Sequence, residues 1–136
     1  MNFLVVTGLS GAGKSMAANV LEDIGYFCID NIPAGLLPRL VDFALQGENQ
    51  LQRVAVVMDI RGLRSREAVE TALQALDDKK MEYDILFLDA CDAVIRRRYK
   101  ETRRIHPMAQ GGQLPIDEAI RREREILQPL RERAKY

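Results

Sequence analysis

The sequence predicts an α/β domain of three layers, with helices on both sides of a mainly parallel sheet. Three observations lead there. Short apolar runs rich in β-branched residues alternate with helix-length segments along the whole chain. The first of these runs passes at once into a glycine-rich turn and then a helix-like stretch. Gly8, Asp30, Asp59 and Asp89 all fall where strands are expected to end, and in parallel sheets such ends share one rim where ligands gather.

Phe3 to Thr7 is short, β-branched and apolar on both faces, as a central strand covered on both sides must be. Met16 to Ile24 is expected as the first helix, with Val20, Leu21 and Ile24 at helical spacing and Gly25 as its stop. Tyr26 to Ile29 reads as a second strand, broken by Asp30-Asn31-Ile32-Pro33. Leu36 to Gln46 reads as a helix in which Pro38 lies in the first turn or breaks it. Gly47 to Gln50 is a loop. Val54 to Met58 is the third strand and ends in Asp59-Ile60-Arg61-Gly62. Ser65 is a candidate cap for a helix to about Lys80, with Val69, Leu73 and Leu76 as its apolar stripe. Ile85 to Leu88 is the fourth strand, and Asp92 is a candidate cap for a helix through Tyr99 and beyond. Ile105 to Pro115, holding His106-Pro107 and Gly111-Gly112, is a loop. Asp117 to about Leu127 is a last amphipathic helix that Pro129 kinks or ends. Its Glu118, Arg121, Arg122 and Glu125 read as a solvated face. Arg133 to Tyr136 stand where a fifth strand is expected, so the chain reads as part of something longer.

At 136 residues the chain fits one domain, residues 1–136, with a proper core. The formal net charge is zero, which excludes polyanion binding by bulk charge and leaves only a local patch for that role. No apolar run approaches the ~20 residues of a membrane helix, and no secretory signal precedes the first strand. Cys28 and Cys91 are far apart in no metal-like spacing, at the ends of apolar runs. They read as buried reduced thiols, consistent with the cytoplasm.

Gly8-Leu9-Ser10-Gly11-Ala12-Gly13-Lys14-Ser15 has the GxxxxGKS spacing of a phosphate-binding P-loop, between strand and helix as that motif requires. Glycines let the backbone curl so that successive N–H groups point into one cavity. The helix that follows aims its positive end at the same point. Lys14 would set a flexible cation on the β- and γ-phosphates of a nucleotide, and Ser15 would offer a hydroxyl to Mg²⁺. Asp59, ending an apolar strand, fits the second acid of P-loop nucleotide hydrolases and kinases, which holds the magnesium shell. Lys14 and Asp59 are therefore the expected catalytic pair, and Ser15 and Asp59 the expected metal ligands. Arg61 would sit near a phosphate or in solvent. Asp30 reads equally as a substrate carboxylate and as an Asx turn. Asp89 reads first as the closure of a turn into the next helix.

The run from Arg96 to His106 holds six cations, Arg96, Arg97, Arg98, Lys100, Arg103 and Arg104, against one acid, Glu101. It resembles the arginine-rich lid of adenylate-kinase-like enzymes, where the planar fork pairs phosphate oxygens. RNA phosphates are the alternative guest, although Tyr99 is the only aromatic residue interleaved.

Together, the P-loop, Leu21-Glu22-Asp23-Ile24-Gly25-Tyr26, Cys28-Ile29-Asp30-Asn31-Ile32-Pro33, Asp59-Ile60-Arg61, Phe87-Leu88-Asp89-Ala90 and Arg97 through Pro107 resemble the RapZ/YvcJ family of bacterial nucleotide-binding proteins, which includes RNase adapters. The resemblance runs from residue 1 to the end. It implies an ATP site at Gly8, Leu9, Ser10, Gly11, Ala12, Gly13, Lys14 and Ser15, a GTP-assigned segment at Asp59, Ile60, Arg61 and Gly62, and weak hydrolysis. Within the basic run itself, Arg97, Arg98, Arg103 and Arg104 are phosphate or lid candidates, and His106, loop-bound before Pro107, reads as a phosphate contact or as inert. RNA is implied as a partner only of the full-length parent, since family members are about twice as long and this chain corresponds to their nucleotide-binding half. The competing function is a small-metabolite phosphotransferase of the adenylate- or shikimate-kinase type.

Overall fold

The structure is a computed structural model that describes residues 2–9, 11–30, 32–45, 53–58, 65–78, 82–102 and 115–136. Its elements are β1 (Asn2–Gly8), α1 (Lys14–Asp23), β2 (Phe27–Ile29), a 3-10 turn (Ala34–Leu36), α2 (Leu37–Leu45), β3 (Arg53–Val57), α3 (Arg66–Asp78), β4 (Asp84–Leu88), α4 (Asp92–Thr102) and α5 (Ile116–Arg133).

The four strands form one sheet in the order β2-β3-β1-β4, and every pairing is parallel. The period-2 geometry of a strand splits β1 between two cores. Phe3 and Val5 point into the larger one, against Leu37 and Val41 of α2, Val69, Leu73 and Leu76 of α3, Ile95 of α4, and Ile120, Leu127 and Leu130 of α5. Val6 points to the other side, where it meets Leu21 of α1 with Ala55 and Val57 of β3. Helices therefore cover both faces, and the domain has the expected three layers of a P-loop α/β fold.

Local chemistry explains the boundaries. Ser65 caps α3, its hydroxyl accepting the Ala68 N–H at 3.1 Å. Pro38 is the second residue of α2, so the first-turn alternative holds. α1 starts at Lys14, two residues earlier than expected, because Gly13 sits in the left-handed region and the helix begins directly after it.

Three readings are corrected. α5 runs through Pro129 to Arg133 instead of ending near Leu127. An internal proline costs about 3 kcal/mol. Burial of Ile120, Leu127 and Leu130 returns roughly 1.5–3 kcal/mol each, which keeps the helix whole. Asp92 does not cap α4: it is the first residue of that helix and its carboxylate is taken by Arg124. Cys91 is exposed and Cys28 only half-buried, because Cys91 lies in the turn into α4, where its carbonyl accepts the N–H groups of Val94 and Ile95.

Beyond α5, Lys135 and Tyr136 both donate their N–H groups to the Ile85 carbonyl, and Phe87 N–H donates to Tyr136. Residues 134–136 thus run beside the edge of β4, where the fifth strand was expected. Among the described residues, no helix is long and apolar enough to cross a membrane.

Candidate functional site

β1 delivers the glycine loop at the centre of the sheet. The chain leaves β1 for β2 and β3 on one side of it and then crosses to β4 on the other, so the carboxyl end of β1 lies at a topological switch point, the usual ligand crevice of such sheets. Met58 N–H donates to the Val6 carbonyl at 2.9 Å, which keeps β3, the strand leading toward residue 59, against β1 to its end.

The loop is built from glycine geometry. Gly8 has φ +147°, and a Cβ there would stand 2.1 Å from the Leu88 carbonyl oxygen of β4. Only a residue without a side chain passes that point. Leu9 then buries its side chain completely, donates its N–H to Leu88 at 3.1 Å, and accepts the Ala12 N–H at 3.0 Å. Gly11 and Gly13 take φ +87° and +103°. Gly13 leads into α1 without any side-chain cap, so the first turn of that helix presents its N–H groups outward. Such a terminus attracts anions through both its donors and its dipole.

Among the described residues, two cations lean on the loop. Lys14 Nζ donates to the carbonyls of Gly8 and Leu9, each at 3.1 Å, so its ammonium is folded back over the turn. Arg98 reaches in from α4 and donates to the Gly11 carbonyl. Ser15 is exposed in the first turn of α1, and Arg97 is exposed on α4. Gly8, Leu9, Gly11, Ala12, Gly13, Lys14, Ser15 and Arg98 therefore converge at one rim. Ser10, Asp59, Ile60, Arg61, Gly62, Arg103, Arg104 and His106 lie outside the described residues.

Asp89 belongs to the turn after β4. It accepts its neighbour's Ala90 N–H at 2.8 Å and Arg124 Nη1 at 2.9 Å, with Arg131 Nη2 at 3.5 Å. This is the turn-closing role read from the sequence. Asp30 is exposed after β2.

Sequence reasoning passed over three groups on this side of the sheet. Arg124 of α5 grips the β4–α4 turn: Nε meets Asp92 at 2.9 Å and Nη2 meets the Ala90 carbonyl at 2.7 Å. Burial works against its charge, yet the hydrogen bonds it donates to Asp92 and Asp89 raise its pKa above the ordinary guanidinium value. Glu123, next to it, is fully buried on the face of Ile120 and Leu127. Its position between those two at helical spacing was the available signal. Thr7 is also fully buried, and its hydroxyl finds no hydrogen-bond partner among the described residues.

A divalent cation fits this chemistry. Among the described residues no cluster of three acidic, His or Cys side chains could cage a metal. Mg²⁺ at a phosphate loop needs no such cage, taking one hydroxyl or carboxylate and completing its shell with phosphate oxygens and water. Ser15, exposed as the second residue of α1, carries the hydroxyl that follows the loop in sequence.

Comparison with known proteins agrees with this geometry. The family described as RapZ-like N-terminal domain matches residues 1–136. A nucleotide-binding protein of Ruminiclostridium cellulolyticum is 44% identical over 136 residues, which is 100% of this chain and 46% of that protein. A nucleotide-binding protein of Moorella thermoacetica is 51% identical over 135 residues, covering 96% of this chain and 44% of that protein. The chain thus spans less than half the length of these curated relatives. Among solved structures, shikimate kinase from Acinetobacter baumannii in complex with shikimate is similar with a TM-score of 0.60 at 19% identity, over 100% of this chain and 82% of that one. At that identity the likeness is one of fold.

Proposed function

The chain belongs to the RapZ-like N-terminal domain family, and from that premise we propose that it binds a nucleoside triphosphate, ATP or GTP, with Mg²⁺ and hydrolyses it slowly. Residues 1–136 act as one P-loop domain that longer relatives continue. The observation that carries the reading is the loop itself. Glycines at positive φ at positions 8, 11 and 13 lead uncapped into α1, with Lys14 folded over the turn. Nucleotide-binding proteins at 44% and 51% identity support the same ligand.

In this reading the N–H groups of the loop and of α1's first turn cradle the β-phosphate. Lys14 turns from the Gly8 and Leu9 carbonyls onto the β- and γ-oxygens. Mg²⁺, when bound, neutralises phosphate charge, with Ser15 and Asp59 as the residues that would hold it. Water attacks the γ-phosphorus in line as the bond to the β–γ bridging oxygen breaks. The nucleoside diphosphate leaves, and inorganic phosphate departs with the water's proton passing to solvent. Lys14 with Arg97, Arg98, Arg103 and Arg104 stabilises the charge spreading over the transferred group. The sequence offers no evident base for that water, which fits slow turnover and a regulatory role in the cytoplasm. RNA enters only through a full-length protein, with the basic run of α4 as its phosphate contact.

The test is calorimetry with Mg·ATP and Mg·GTP on the protein and on Lys14→Ala. Uptake by the first and loss in the second is expected. A Lys14→Ala protein that binds and hydrolyses like the wild type refutes the reading. Transfer from ATP to a small metabolite faster than to water would replace it with a phosphotransferase. An RNA affinity indifferent to salt would remove the RNA extension.

A further inference from the structure

One side chain of α5 ties together the segments that touch the glycine loop. Arg124 places its whole guanidinium on the β4–α4 turn: Nε and Nη2 on Asp92 Oδ1 at 2.9 and 2.5 Å, Nη1 on Asp89 Oδ1 at 2.9 Å, and Nη2 on the Ala90 carbonyl at 2.7 Å. Both sides of that turn reach the loop. Upstream, the Leu88 carbonyl accepts Leu9 N–H and stands against Gly8. Downstream, α4 carries Arg98 to the Gly11 carbonyl. Within the turn Asp89 also accepts the Ala90 N–H at 2.8 Å, while other side chains that reach it do so at longer range, Arg131 on Asp89 at 3.5 Å and Arg96 on the Asp92 carbonyl at 3.3 Å. A planar fork that meets three acceptors fixes direction as well as distance.

We infer that Arg124 is a positioning residue of the nucleotide site: its fork sets the β4–α4 turn and thereby holds Leu88 and Arg98 against the glycine loop. It touches no ligand itself. The inference rests on the reading of the loop as a triphosphate site. The bland account is a tie between α5 and its neighbours that serves stability alone. Arg133, at the far end of the same helix, supplies the comparison, since it meets Asp77 at 2.9 Å and Tyr83 at 3.2 Å well away from the loop.

The experiment measures the Kd for Mg·ATP and Mg·GTP by calorimetry, and urea midpoints, on the intact protein. The variants are Arg124→Lys, Asp92→Ala, Asp92→Asn, Arg133→Lys, Arg98→Ala, and Arg98→Ala combined with Arg124→Lys. Lysine keeps the charge but cannot span three acceptors. Arg124→Lys is expected to weaken nucleotide binding about tenfold. Asp92→Ala, which removes the acceptor of Nε and Nη2, moves the same way, as does Asp92→Asn to a smaller degree through loss of charge, and both answer should Arg124→Lys fail to fold. Arg133→Lys loses comparable stability and keeps its affinity within about twofold. The double variant loses less than the product of its two single losses, because Arg98 lies on Arg124's route to the loop. Wild-type affinity in both Arg124→Lys and Asp92→Ala, an equal affinity loss in Arg133→Lys, or full multiplication in the double variant overturns the inference. No uptake by the wild type overturns the reading of the loop first, and this inference with it.

Discussion

Replacing Gly8 by alanine drives a methyl group into the Leu88 peptide, 2.1 Å from its oxygen, 2.8 Å from its nitrogen and 2.9 Å from its carbon. Ordinary contact is about 3.5 Å, so β4 must retreat from β1 by roughly 1 Å. That movement stretches the Leu9–Leu88 hydrogen bond, worth about 1 kcal/mol. The backbone at φ +147° adds about 1–2 kcal/mol for any L side chain, and overpacking between two rigid strands about 1–3 kcal/mol more. The total, about 3–6 kcal/mol, is a large share of the ~5–15 kcal/mol that keeps a domain folded. Gly13 is the matched control. Its φ is +103°, but an added Cβ meets nothing within 4 Å, so Gly13→Ala costs only the backbone share of about 1–2 kcal/mol. Urea unfolding followed by far-UV circular dichroism reads the difference. With a slope of about 1–3 kcal/mol per molar, Gly8→Ala lowers the midpoint by about 1 M or more beyond Gly13→Ala. Equal midpoints for the two variants, or a Gly8→Ala midpoint at the wild-type value, would refute the steric account of the loop's first residue.

Thr7→Val removes a buried hydroxyl that has no partner among the described residues and keeps the shape, so stability is expected to hold or rise by about 1 kcal/mol; a fall of that size in the same urea assay would contradict it. Asp77 has its pKa lowered by the hydrogen bond from Arg133, with Tyr83 as a second donor. Its stabilising share is therefore present above the ordinary carboxyl value of 3.8 and lost as the pH falls below it toward the depressed folded value. Asp77→Asn should flatten the acid limb of stability in that window, and an unchanged limb in pH-jump fluorescence would count against the pairing. Burial pushes the half-buried Cys28 thiol up, with Glu22 and Asp30 adding to it, while Cys91 is exposed. Brief iodoacetamide treatment near pH 8 should mark Cys91 well before Cys28, as peptide mass analysis reports, and equal labelling would be the contrary result.

The parts of this fold that were legible in the chain are those written in local pattern. β1, β3 and β4 announce themselves as apolar runs because strands covered on both faces need such runs. The glycine loop was legible because its spacing is itself a backbone requirement, met at Gly8, Gly11 and Gly13. What stayed hidden depends on contacts distant in sequence. Pro129 reads as a stop, yet Leu127 and Leu130 pack into the core and carry the helix past it. Arg124 sits in a stretch of mixed charge that reads as solvated, and only the fold brings it to Asp89 and Asp92, 35 and 32 residues away. Asp92 looked like a cap for the same reason: its claimant lies on another helix. Of the candidate site, the glycine loop and Arg98 are both singled out by local pattern, and the fold brings them into contact, whereas the Arg124 fork had no local signature.

The ammonium of Lys14, shared between the carbonyls of Gly8 and Leu9, carries a kinetic implication. A lysine swinging freely must be caught, straightened and stripped of water at the moment a guest arrives. Here much of that work is done in advance, since the charge already rests on protein oxygens within a short pivot of the cup. Arrival then amounts to an exchange of oxygen neighbours, so encounter should be fast, and discrimination between guests should express itself chiefly in how quickly they depart.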